Sequence, residues 1–88
     1  MKLKYRFETM ELDGKVMAVA MDTAPGEDRI MLRMNVTGAE ILQLLREDTD
    51  EAAIIAALLQ HYAVEEDELR RRVQSTIEML RGSGLLTE

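Results

Sequence analysis

RIMLRMNVTGAEIL, residues 29–42, changes character halfway along. Up to Met34 charged and apolar side chains alternate, the period of a half-buried strand. Ile30, Leu32 and Met34 share one face; Arg29, Met31 and Arg33 share the other. Beyond Asn35 the period becomes helical. Thr37 and Glu40 make a T-x-x-E capping box, with Thr37 as the N-cap, and Val36 and Ile41 fit a hydrophobic staple across it. Such a cap contributes about 1 kcal/mol. A strand over 29–34 therefore runs through a short junction into a capped helix.

Upstream, Lys4 to Glu8 alternates, and Met10 and Leu12 fall on the opposite parity. A bulge or bend near Thr9 would reconcile the phases. Asp13-Gly14 between strand-like runs predicts a two-residue hairpin turn. Residues 15–21 are the return strand, and Asp22 to Asp28, with Pro25-Gly26, is a loop. Downstream, Ile41, Leu44 and Leu45 form the apolar stripe of the first helix, which REDTD at 46–50 breaks. A second helix runs from about Asp50 to Tyr62, with Ile54, Ile55, Leu58, Leu59 and Tyr62 on its apolar face. A third runs from about Glu65 to Arg81 on the stripe Leu69, Val73, Ile77 and Leu80. Gly82 and Gly84 are candidate left-handed terminators, after which Leu85 and Leu86 fold back onto the core. Strands followed by helices, without alternation, predict an α+β domain of order βββααα.

The chain has 88 residues, enough for one domain over 1–88. Apolar residues make up 47% and charged residues 32%, a globular balance. No apolar run is long enough to span a bilayer, and the start has no signal-peptide pattern, which points to the cytoplasm. Without cysteine, disulfides, thiolate metal sites and cysteine nucleophiles are excluded. The net charge of −6 is uneven. Residues 1–33 hold six Lys/Arg and six Asp/Glu; residues 34–88 hold five and eleven.

Nothing in the sequence supports catalysis or a cofactor. His61 has no second histidine at ligand spacing. Glu47, Asp48, Asp50 and Glu51 lack the spacing of a calcium loop and suit a helix N-terminus better. Ser75 and Ser83 have no base at a recognisable spacing, and no phosphate-binding glycine motif is present. Three helices with a small sheet raise a nucleic-acid-binding winged helix as the alternative reading, with Arg70-Arg71-Arg72 as its support. Each arginine, however, follows an acid by four residues: Glu66, Asp67 and Glu68. They also fan around the helix rather than forming one basic face, so duplex DNA is not expected as a partner. A three-strand meander instead leaves the third strand as an edge, to which an extended peptide can add. Arg29 and Arg33 either protect that edge from self-pairing, which would dimerise the chain, or contact the peptide. Leu32→Pro is the substitution expected to remove a main-chain donor from the edge.

The block LRMNVTGAEILQLL, with Asn35, Thr37, Gly38 and Ile41, then Thr49 with Ile54 or Ile55, Leu58 and Tyr62, and finally Val73, Leu80 and Gly84-Leu85-Leu86, resembles the PqqD-like family. These proteins are peptide-recognition elements of ribosomal peptide natural-product biosynthesis. Ala52, where a Glu often follows such a Thr, and the long Pro25-Gly26 loop depart from the pattern. The resemblance implies a winged-helix-like fold that binds the leader of a precursor peptide and presents it to a modifying enzyme, often a radical SAM maturase. It implies a groove with Arg29, Ile30, Met31, Leu32 and Arg33 on one wall and Arg70, Val73, Gln74 and Ile77 on the other. Val73 and Ile77 fit the core equally well.

Overall fold

A computed structural model describes residues 1–88. A three-stranded antiparallel sheet precedes three helices, and the chain has the α+β, winged-helix-like architecture its sequence predicts. The strands are β2 (Phe7–Leu12), β3 (Lys15–Ala20) and β4 (Met31–Asn35), in the order β2-β3-β4. The helices are α1 (Val36–Leu44), α2 (Glu51–Leu59) and α3 (Glu66–Gly82). Two short strands absent from the sequence reading, β1 (Lys2–Leu3) and β5 (Leu86–Thr87), pair with each other and tie the two ends of the chain together. Leu3 and Leu86 sit opposite in that pair and both are buried.

The hairpin turn forms as expected. Asp13 (φ 54°) and Gly14 (φ 76°) both take the left-handed conformation, whose twist matches that of the flanking strands. The bulge near Thr9 does not form. One unbroken register runs from Phe7 opposite Ala20 to Leu12 opposite Lys15, and Lys4–Tyr5 is a bend rather than strand. α1 packs on β3 and β4 rather than on β2, and Met10 and Leu12 share the face of the sheet turned away from the helices. Met10 and Leu12 are each 73% exposed. On β3 the inward residues are Val16, Ala18 and Ala20, all buried. Two of them are alanines, small enough for α1 to lie close against the sheet.

At the junction the N-cap is Asn35, not Thr37. The Gly38 N–H donates to Asn35 Oδ1 at 2.8 Å. Asn35 is extended (φ −88°, ψ 179°), so it ends the strand and caps the helix at once. Glu40 does not reach back to the cap; its carboxylate accepts from the Tyr62 hydroxyl at 3.0 Å and links α1 to the end of the α2 region. Val36 is exposed, so no staple forms. Gly38 is buried, and a Cβ there would lie 3.1 Å from Met34 Cβ.

The core joins Ile41, Leu42 and Leu45 of the α1 region, Ile54, Ile55 and Leu58 of α2, and Leu69, Val73, Ile77 and Leu80 of α3. Leu44, assigned inward by periodicity, is only half-buried, and Leu42 takes its place. The second helix starts at its Asp50 cap, whose carboxylate accepts from the Ala53 N–H, and stops at Leu59, three residues short of the expected Tyr62. Gly84 (φ 73°) is left-handed beyond the end of α3, and Leu85 and Leu86 return to the core as expected. No helix is long and apolar enough to cross a membrane.

Candidate functional site

β4 has β3 on one side only. The Ala20 N–H donates to Ile30 O at 3.0 Å, and these two residues continue the β3–β4 register. In an antiparallel ladder opposed residues alternate between exchanging both hydrogen bonds and exchanging none. The main-chain groups of Ile30, Leu32 and Met34 therefore face β3. Those of Met31 and Arg33 face away from it and are free of any sheet partner. This corrects the substitution chosen from sequence: the Leu32 N–H belongs to the sheet, and the donors offered at the edge are those of Met31 and Arg33.

Side chains divide the same way. Ile30, Leu32 and Met34 are half-buried and pack against the core from the edge. Met31 is 56% exposed, and Arg33 is exposed. Arg29 lies outside β4, which begins two residues later than expected. Neither Arg29 nor Arg33 forms an ion pair.

The α3 wall differs from the one implied by the resemblance. Val73 and Ile77 are core residues, 0% and 4% exposed, and offer no surface to a ligand. Arg70 and Gln74 face α2, across a depression of about 370 Å³ floored by Ala52, Ile55, Ala56 and Leu59. The flank of α3 nearest the end of β4 carries Arg71, Arg72, Ser75 and Thr76 instead. Together with Asn35, Thr37, Gly38 and Ile41 they line a cleft of about 360 Å³ between α3 and the start of α1. Its walls hold two guanidinium groups, three hydroxyls and no carboxylate. Periodicity assigned the buried stripe of α3 correctly. It does not say which of the two flanking stripes meets α1, because that depends on how the three helices are arranged in space.

Ion pairs sharpen the electrostatics. Arg70 binds both Glu66 (3.0 Å) and Asp67 (3.5 Å), and Arg72 binds Glu68 (2.8 Å). The Asp67–Arg71 pairing expected from spacing does not form, so Arg71 is the member of the triplet without an acidic partner. The arginines split between the two sides of α3, with no continuous basic face. Elsewhere, Asp48 holds the Met1 ammonium at 2.8 Å, and that hydrogen bond and charge hold its carboxyl below the usual range. His61 is exposed, and no group of three His, Asp or Glu side chains converges as a metal site would require.

From β3 into β5, residues 18–86, the sequence matches the family described as Coenzyme PQQ synthesis protein D (PqqD). The chain belongs to the PqqD family. No curated protein matches it. Among solved structures, TbiB1 in complex with the TbiA(beta) leader peptide is similar, with a TM-score of 0.70 and 21% sequence identity. The likeness covers 98% of this chain and 94% of TbiB1, so it extends the shared fold to the β2–β3 hairpin that precedes most of the PqqD match.

Proposed function

We propose that this chain binds the leader segment of a ribosomally made precursor peptide as a strand added to β4, and delivers it to a modifying enzyme. The observation that carries the reading is the free edge of β4, with the Met31 and Arg33 main-chain groups turned outward. Main-chain hydrogen bonds would supply affinity, and side-chain contacts would supply selection. The half-buried Ile30, Leu32 and Met34 offer apolar contact to alternate leader residues on the helical side. The cleft with Arg71 would receive an acidic residue where the peptide passes the end of β4. PqqD membership and the likeness to a leader-bound protein support this assignment.

Titration with leader peptides of precursors encoded beside the chain tests it. Binding tighter than roughly 100 μM, about −5.5 kcal/mol, is expected, and no binding at that level removes the proposal for those precursors. Met31→Pro deletes an outward N–H and should weaken binding by several-fold to about tenfold, since one such bond is worth about 0.5–1.5 kcal/mol. Met31→Ala keeps the N–H and should cost less. Leu32→Pro breaks the β3–β4 ladder and should show as lost stability instead. Arg71→Glu should weaken leaders that carry an acid near the cleft and leave their neutral variants unchanged.

A nucleic-acid-binding winged helix predicts affinity that falls steeply between about 50 and 200 mM salt. The arginine triplet divides between two faces of α3 and two of its members are paired, so that reading has no basic face to rest on.

A further inference from the structure

The sheet has a second surface that the peptide edge does not use. Helices cover one face; the other is bare. The strand registers arrange its outward residues in three rows: Glu8, Val19 and Met31; then Met10, Met17 and Arg33; then Leu12, Lys15 and Asn35. Five of these nine are apolar. Met10 and Leu12 are 73% exposed and Met31 is 56% exposed. Met21, beyond the end of β3, adds another exposed methionine at 53%. Isolated exposed apolar residues are ordinary, but a contiguous patch on one sheet face marks an interaction surface. Methionine, unbranched and polarisable, suits a surface that must fit a partner.

Charge narrows the occupant. Lys15 and Arg33 lie on this face and Glu8 is its one acid, and none of the three is in an ion pair. The face is cationic on a chain whose net charge is −6. Stacking two copies face to face would oppose like charges, which disfavours a self-dimer. Docking it on the acidic helical side of another copy is a head-to-tail contact, which closes into a ring only at particular rotations and otherwise runs on as an open chain of subunits. A lipid surface is a poor match too, because the patch has no Trp or Tyr, the residues that favour the bilayer interface. A protein with an apolar surface bordered by carboxylates fits.

Size narrows it further. Three strands about 4.8 Å apart and about 20 Å long make a plane of roughly 300 Å². A stable interface needs about 800 Å² from each partner. The bare face alone therefore supports a transient contact, or one that continues onto neighbouring surface. Its open side is β4, and a peptide added there would become a fourth strand of the same plane.

We infer that the outer face of the β2–β3–β4 sheet is the docking surface for the modifying enzyme, and that an added leader peptide enlarges it. This rests on the proposed leader-binding function. The partner would present apolar side chains to Met10, Leu12 and Met17 and carboxylates to Lys15 and Arg33. It would contact leader and carrier together, so it binds the loaded carrier more tightly than the empty one.

The probe is the purified modifying enzyme encoded beside the chain, titrated against the full chain with and without leader. The double variant Met10→Glu/Leu12→Glu should weaken enzyme association at least tenfold while leader affinity stays within twofold. Both side chains are already solvated, so the variant is expected to keep its fold, which circular dichroism checks. Lys15→Glu gives an independent second arm and should weaken the enzyme in the same sense. Unchanged enzyme association in both variants overturns the inference. A wild-type dimer that the double variant turns into a monomer also overturns it, in favour of a second copy as occupant. Absence of leader binding by the wild type instead removes the underlying functional reading, and the titration without leader still reports on the face.

Discussion

Asn35 shows how one side chain can take two roles. It closes the edge strand in an extended conformation and caps α1 through its Oδ1. The T-x-x-E pattern placed the cap two residues later, at Thr37. The decisive difference is that Glu40 has another partner, the Tyr62 hydroxyl, which a local pattern cannot reveal. Asn35→Ala is therefore expected to destabilise the fold by about 1 kcal/mol, and Thr37→Ala by clearly less, measured by urea unfolding. A larger loss from Thr37→Ala than from Asn35→Ala would mean that Thr37 is the cap. The same scale explains Arg71. Spacing supplied one acid per arginine, but Arg70 takes two of them and leaves Arg71 free in the cleft.

Elements were legible wherever a period was strong. The hairpin turn, the α3 stripe and the return of Leu85-Leu86 all follow from local chemistry. The five-residue β4 was legible as a strand because its alternation is clean, though it begins at Met31 rather than Arg29. β1 and β5 were not, because two-residue strands carry no period and exist only because the ends of the chain meet. Among helices, α3 has the most at stake: its four inward residues are all buried, with Val73 and Leu80 at 0% exposure. Leu80→Ala should cost about 2–5 kcal/mol in chemical denaturation, the usual range for a core leucine. A loss under about 1 kcal/mol would show that α3 is not clamped at that end. The burial of Val73 and Ile77 in that stripe is also why they cannot form a groove wall.

Across the whole molecule the two ends of the chain lie against the helical core. Besides the β1–β5 pair, the Met1 ammonium reaches Asp48 and the Thr49 carbonyl in the α1–α2 loop. The Asp48 carboxyl is held below its ordinary pKa, chiefly by that hydrogen bond and then by the ammonium charge. A depressed carboxyl stabilises the fold above its unfolded pKa and loses that contribution as pH falls through the folded value. Asp48→Asn should therefore lower stability slightly at neutral pH and flatten its loss as pH falls below about 4, the two proteins converging once the carboxyl is protonated in the folded state. An unaltered acid limb between wild type and variant would mean that the contact contributes nothing. The exposed position of Asp48 makes the expected effect small and sensitive to salt.

By itself the sequence determined the class, the order of the major elements and the buried stripes, because these follow from side-chain period and turn chemistry, which are local. It also carried the family pattern and the exposed edge. Only the tertiary structure decided which main-chain groups point off that edge, since this depends on the register between β3 and β4. It likewise decided which flank of α3 meets the end of β4, because a helix has two sides beside its buried stripe and only packing chooses between them. The bare methionine face became visible for the same reason: three strands must be laid in register before residues far apart in sequence form one surface.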